Sequence, residues 1–275
     1  MRNLKATARL TDVELRAISA THITGDGFKL VNQDLRVTTQ DGKFVATFIK
    51  AKVPTQLQQA AEPYLKRVRG DFANRGSVLG KGAMMPRVRK DGTLSPRLTV
   101  PKPVRQLLGK SSPLGWFDRY DATVGGVVCR QSRWSLDDPE VLASALPLVQ
   151  SVDCLFAAYC PEEYAAQLAA IEGINRSYRL AGGWANLAVN LNARTAIHTD
   201  KGDVRRGTAA LLASGSFKGG YLLLPRYNLA FDIHEGDVLF FDPHEPHGNA
   251  PVEGERLSIV VYGREGLAKC QAPVI

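Results

Sequence analysis

The segment AIHTDKGD, residues 196–203, sets a histidine and two aspartates within six positions of a stretch that otherwise reads as an apolar strand. An ionised group taken out of water is costly unless it is paired or bound to a metal, so His198, Asp200 and Asp203 imply a partner. Downstream, DPHEPHG (242–248) offers His244 and His247, and RLSIVVYG (256–263) sets Arg256 and Ser258 two residues apart. A His-x-Asp pair with one distant histidine is the two-histidine, one-carboxylate set that suits non-haem Fe(II) and leaves coordination positions open for substrate and oxygen. An arginine facing such a site can hold a carboxylate through paired, charge-assisted hydrogen bonds. The competing reading, a structural His198–Asp200 ion pair, leaves the downstream pattern unexplained.

These side chains need a scaffold that converges them. Read alternately, residues 184–200 form one strand with Trp184, Asn186, Ala188, Asn190, Asn192, Arg194, Ala196, His198 and Asp200 on one face. Ala185, Leu187, Val189, Leu191, Ala193, Thr195 and Ile197 lie on the other. Three asparagines, an arginine, a histidine and an aspartate on one side suggest a lined cavity rather than a solvated surface. Short strands follow in SFKGGYLLLP (216–225), NLAFDI, VLFFDPHEPHG (238–248) and RLSIVVYG, joined by tight turns such as His234–Asp237. That spacing implies an antiparallel barrel or jelly roll.

Upstream, residues 28–54 alternate around an Asp41-Gly42 turn, which predicts a hairpin ended by Pro54. A helix is expected next, with Thr55 as its N-cap. Residues 137–172 read as two helices, opened by Pro139 and Pro161 and stopped near Gly173. The expected organisation is one domain over 1–275. Residues 1–110 supply N-terminal strands and basic loops, 135–175 supporting helices, and 184–265 the core with the site.

Charge is unevenly spread. The net +8 divides into +13 over residues 1–110 and −5 over the remainder. The positive density peaks in 66–105, where eleven basic residues meet two acids among glycines and prolines. Such a stretch is either a solvated basic loop or a loop that follows a phosphate backbone. Cys129, Cys154, Cys160 and Cys270 show neither a CxxC pair nor zinc spacing, so no disulfide or structural zinc is expected and most should be buried thiols. The N-terminus has no apolar run of signal-peptide length, and no window reaches the roughly 18 apolar residues of a membrane span. The expectation is a soluble cytoplasmic monomer with no membrane contact, in a host cell if the source is viral.

NLNARTAIHTDKGD, GSFKGGYLLLP, EGDVLFFDPHEPHG and GERLSIVVYG, across 184–264, resemble the Fe(II)/2-oxoglutarate oxygenases with a double-stranded β-helix. Within that class the resemblance is to the TET/JBP group, which oxidises 5-methylpyrimidines in nucleic acid. It implies an α+β, mainly β fold: a jelly-roll core with helices on one side. It implies that His198, Asp200 and His247 bind iron, that Arg256 pairs with the distal carboxylate of 2-oxoglutarate assisted by Ser258, and that Arg194 addresses the cosubstrate's other end. His247 fits the family better than His244 because Gly248 follows it and Arg256 stands nine residues on. Members that act on methylcytosine place an acid at the position of Asp203 to accept from the base's exocyclic amine; a turn-capping aspartate is the other reading. FANRGSVLGKG (72–82) is similar to an upstream family segment, in which Asn74 would meet a base edge and Arg75 a phosphate or the cosubstrate; an ordinary Asn-Arg-Gly turn is the other reading.

The implied reaction uses O2 to decarboxylate 2-oxoglutarate to succinate and hydroxylates the 5-methyl group of methylcytosine, or of thymine, in DNA. A stacked base must be flipped out to reach a metal inside a barrel. The same iron chemistry on a protein side chain, a free nucleobase or another small molecule is the alternative.

Overall fold

The computed structural model describes residues 1–68, 80, 85–99 and 109–270. Its elements in chain order are strands β1 (Arg2–Ala6), β2 (Lys29–Val31), β3 (Leu35–Thr39), β4 (Phe44–Ile49), β5 (Met85–Val88), β6 (Leu94–Thr99), β7 (Lys110–Asp121) and β8 (Gly126–Gln131). These are followed by β9 (Asn186–Leu191), β10 (Ala209–Ser214), β11 (Phe217–Gly219), β12 (Leu222–Leu224), β13 (Leu229–Phe231), β14 (Val238–Phe241), β15 (Gly248–Asn249), β16 (Val252–Gly254) and β17 (Leu257–Tyr262). The described helices are α1 (Asp12–Ile18), α2 (Thr55–Leu65), α3 (Arg133–Asp137), α4 (Pro139–Tyr159) and α5 (Pro161–Ala170).

A strand buried on both faces needs a continuous apolar run, and AALLAS of β10 and VLFF of β14 meet that need at the centre of the molecule. They belong to a nine-stranded sheet in the order β1-β3-β4-β14-β10-β17-β9-β7-β8. Its inner face meets a four-stranded sheet, β15-β12-β13-β2, over a core that includes Ala188, Leu211, Phe241, Leu222 and Phe231. Its outer face carries α2 and α4, with Leu187, Val189, Leu212, Phe240 and Ile259 packed against Leu65, Leu148, Val152 and Phe156. Phe156 stacks on Phe240 at 5.0 Å between centroids, and each such buried ring contributes about 1.5–3 kcal/mol. Two facing sheets with helices on one outer side are the jelly-roll core that the sequence implies.

The β3–β4 hairpin turns at Asp41-Gly42, where Gly42 takes φ +88. Its strands do not stand apart: β4 joins β14, and β2 adds parallel to β13, so the N-terminal region completes both sheets. Helices α4 and α5 begin at Pro139 and Pro161. Thr55 is not a cap but the first helical residue of α2; Pro54 holds the cap position, without a side-chain bond.

Four expectations need correction. Cys129 and Cys270 form a disulfide across 141 residues of chain, a pairing set by the docking of β8 against the segment after β17 and not by local spacing. Cys154 is exposed, which leaves Cys160 as the one buried free thiol among the described residues. Helix α4 is long and apolar enough to cross a membrane by length and composition, with a mean hydropathy of 1.7 over an 18-residue window. Glu140 and Asp153 interrupt the apolar run, and in this fold the face carrying Val141, Leu148, Val152 and Phe156 packs on the sheet. Lastly, part of the basic 66–105 stretch is not loop, since β5 and β6 pair antiparallel.

Candidate metal and cosubstrate site

The long strand expected over 184–200 ends at Leu191. Asn192 turns the backbone left-handed, at φ +52, a conformation asparagine tolerates better than most residues. Its side chain and backbone then anchor a neighbour: Arg256 N donates to Asn192 Oδ1 at 2.7 Å, and Asn192 N donates to Arg256 O at 2.9 Å. Two asparagines on the polar face of β9 make hydrogen bonds to β7. Asn186 donates to the Trp116 carbonyl, and Asn190 accepts from Ser111 at 2.7 Å.

His198 and Asp200 therefore owe their convergence to loop contacts and not to strand alternation. His198 pairs with His247 in an isolated antiparallel bridge, N to O at 2.8 and 2.9 Å in the two directions, and Asp200 N donates to Pro243 O at 2.9 Å. The ligand-capable atoms of His198, Asp200 and His247 lie within 4.8 Å of one another. Asp200 sits between the two rings, with Oδ1 3.6 Å from His198 Nε2 and Oδ2 3.5 Å from His247 Nε2.

Both imidazoles are oriented from behind. His198 Nδ1 donates to Ala196 O at 2.8 Å and His247 Nδ1 to Glu245 O at 2.9 Å, which leaves each Nε2 lone pair directed at the cluster. A ligating histidine is usually fixed this way. Burial works to lower the His247 pKa, and the hydrogen bond and charge of Asp200 more than offset it, so the net shift is upward. Glu245 is itself clamped, by Arg226 Nε at 2.8 Å, Tyr227 Oη at 3.2 Å and Lys43 Nζ at 3.6 Å. Sequence reading missed this clamp because its members come from three distant segments.

His244 points elsewhere: its Nδ1 lies 3.0 Å from Asp242 Oδ1, whose hydrogen bond raises its pKa. Asp203 lies in the turn that follows Asp200. It is 9% exposed, its N–H donates to Asp200 O at 3.2 Å, and its backbone bridges to Arg264. Asn74 and Arg75 lie outside the described residues.

Arg256 and Ser258 flank Leu257 at the start of β17, each 4% exposed. Arg256 Nε and one Nη find no hydrogen-bond partner, and burial pushes the guanidinium pKa down to about 10. A buried cation with unmet donors is costly unless an anion joins it, so this arginine is built for a carboxylate. The guanidinium lies 5.5 Å from the Phe217 ring centroid, and a Cβ on Gly220 would come within 2.8 Å of its Cδ. Arg194 donates to Ile23 O at 3.1 Å and also has an unpartnered Nε, with its pKa lowered by burial.

Gly220 is doubly constrained, by that approach and by φ +67. Gly220→Ala is expected to cost about 1–2 kcal/mol of stability from backbone strain alone. It should also raise the KM for 2-oxoglutarate by displacing Arg256. A denaturation midpoint and a KM both equal to wild type would show that the loop yields freely.

A jelly roll holding a His-Asp-His cluster and a buried, unpaired arginine has the makings of an Fe(II)/2-oxoglutarate oxygenase. Residues 115–265 match the Tet_JBP family, the oxygenase domain of the 2OGFeDO superfamily, and the chain belongs to that family. Its cofactors are Fe(II), 2-oxoglutarate and O2, and the donor set of the cluster and the unmet donors of Arg256 fit the first two. The chain is 30% identical over 265 residues to the bifunctional helicase and thymine dioxygenase JBP2 of Leishmania infantum, covering 92% of this chain and 21% of the relative. It is 40% identical over 161 residues to JBP2 of Trypanosoma brucei brucei, covering 56% and 15%. The chain thus spans about a fifth of the length of the JBP2 relatives it matches. The solved structure of NgTET1 in complex with 5mC DNA shares the fold, with a TM-score of 0.59 over 94% of this chain and 93% of that one, at 14% identity.

Proposed function

We propose that the protein hydroxylates the 5-methyl group of a pyrimidine in DNA, thymine before 5-methylcytosine, on a base flipped out of the duplex. The products are the 5-hydroxymethylpyrimidine, succinate and CO2. The observation that carries the reading is the unpaired, buried Arg256 in a chain whose metal-competent cluster belongs to the Tet_JBP family. Relatives at 30% and 40% identity named as thymine dioxygenases favour thymine.

In this reading His198, Asp200 and His247 hold the metal. Fe(II), with 2-oxoglutarate and O2, would supply the oxidising power to hydroxylate the methyl group. Arg256 receives the distal carboxylate of 2-oxoglutarate and stays protonated at neutral pH, since its lowered pKa of about 10 is still well above 7. Ser258 adds a hydroxyl beside it, and Arg194 addresses the cosubstrate's other end. The Ala196 and Glu245 carbonyls keep the proton on Nδ1 of each histidine, so that Nε2 remains a donor to the metal. On methylcytosine Asp203 would accept from the base's exocyclic amine, with Asn74 and Arg75 as further substrate contacts.

Mass spectrometry of nucleosides, after incubating methylated and unmethylated DNA with the protein, iron and 2-oxoglutarate, tests the reading. The expected product is 5-hydroxymethyl-2′-deoxyuridine from both DNAs. Succinate without any modified nucleoside would move the substrate outside DNA. Asp203→Ala should reduce turnover of methylcytosine more than that of thymine, because cytosine N4 donates to a carboxylate and thymine O4 cannot. Equal loss on both bases would assign Asp203 to the turn alone.

A further inference from the structure

The ribbon β5–β6 pairs with no other strand among the described residues. Its tip is well organised. Arg89 N donates to Thr93 O at 2.8 Å, Gly92 sits at φ +82, and Asp91 Oδ1 accepts from Thr93 N at 3.0 Å and Thr93 Oγ1 at 2.7 Å. Those bonds occupy the tip's acid and leave Arg89 and Lys90 exposed at the turn. Beside them, Val88 stands opposite Leu94 in the ladder, at 62% and 65% exposure, and Met85 is 56% exposed. Cross-strand partners project from the same face, so a preformed apolar pair stands in water next to two cations.

That combination matches a physical need of the proposed reaction. Proteins that bind the minor groove insert apolar wedges between base steps and so unstack them, while cations neutralise the flanking phosphates. The ribbon lies within the half of the chain that carries +13, the complement of a polyanion.

We propose that the β5–β6 ribbon is a duplex wedge: Val88 and Leu94 enter the opened base step, and Arg89 and Lys90 grip the adjoining phosphates. The proposal rests on the nucleic-acid reading of the site and names the element that opens the duplex for it.

The test compares Val88→Ser/Leu94→Ser with wild type on duplex and single-stranded oligonucleotides of one sequence, reading modified nucleosides and the fluorescence of a 2-aminopurine at the target step. Duplex turnover should fall at least about tenfold, a fraction of what unstacking costs. Single-strand turnover and DNA-independent succinate formation should not change, and the wild-type rise in 2-aminopurine fluorescence should be lost. Arg89→Ala/Lys90→Ala should instead weaken both DNA forms. It should also lower the slope of log affinity against log salt on duplex by about 0.9 for each phosphate that is no longer neutralised.

Equal effects of the serine variant on duplex and single strand, or none on either, overturn the proposal. So does loss of binding to phosphatidylserine vesicles with an unchanged duplex preference, which would make the ribbon a lipid-binding element. If the double variant does not fold, Val88→Ser alone is read in the same way. A wild type that modifies neither DNA form refutes the substrate reading; 2-aminopurine opening by wild type against variant then still decides the ribbon.

Discussion

His198→Ala, Asp200→Ala and His247→Ala are each expected to abolish succinate and product formation, while His244→Ala stays active. The three proposed ligands converge on one volume, with Asp200 3.5 and 3.6 Å from the two Nε2 atoms, and loss of any one removes a third of the protein donors. Mutating groups that only orient such ligands costs about 10–100-fold in metal affinity or activity, so loss of a ligand should exceed that. The loss should also appear in metal binding measured without cosubstrate, which separates it from a substrate defect. His244 is spared because its ring is engaged by Asp242. An inactive His244→Ala beside an active His247→Ala would reverse the assignment.

Arg256→Ala is expected to raise the KM for 2-oxoglutarate by tenfold to more than a hundredfold, since a hydrogen bond to a charged group is worth about 1.5–3 kcal/mol. The effect should be large because the guanidinium is desolvated before the cosubstrate arrives, with an Nε and an Nη already unmet. A ligand that binds the folded state stabilises it by mass action, so saturating 2-oxoglutarate should raise the Tm of metal-loaded wild type. That shift should vanish at the same concentration in Arg256→Ala. An unchanged KM with an intact shift would place the anchor elsewhere, with Arg194 the first candidate.

Local chemistry was legible in the chain. Proline at the first turn announced α4 and α5, Asp41-Gly42 announced a hairpin, and alternation placed Arg256 with Ser258. The central strand β10 was not legible, because AALLAS carries no alternation when both faces are buried and its composition suits a helix equally well. Strand β1, which pairs parallel to β3, left no local sign either.

The site divides in the same way. The amino-acid sequence by itself determined the donors: the His-x-Asp pair, a choice of two later histidines, and an arginine two residues before a serine. Residue type sets donor chemistry, and short spacing survives folding. Only the tertiary structure decided how they meet. Asn192 ends the strand six residues before His198, and the bridge to His247 brings the pair together in its place. The clamp of Arg226, Tyr227 and Lys43 on Glu245, and the Cys129–Cys270 bond, likewise join segments far apart in the chain. Contacts of that kind arise from the packing of two sheets against each other, and no periodicity within one segment encodes the register in which those sheets meet.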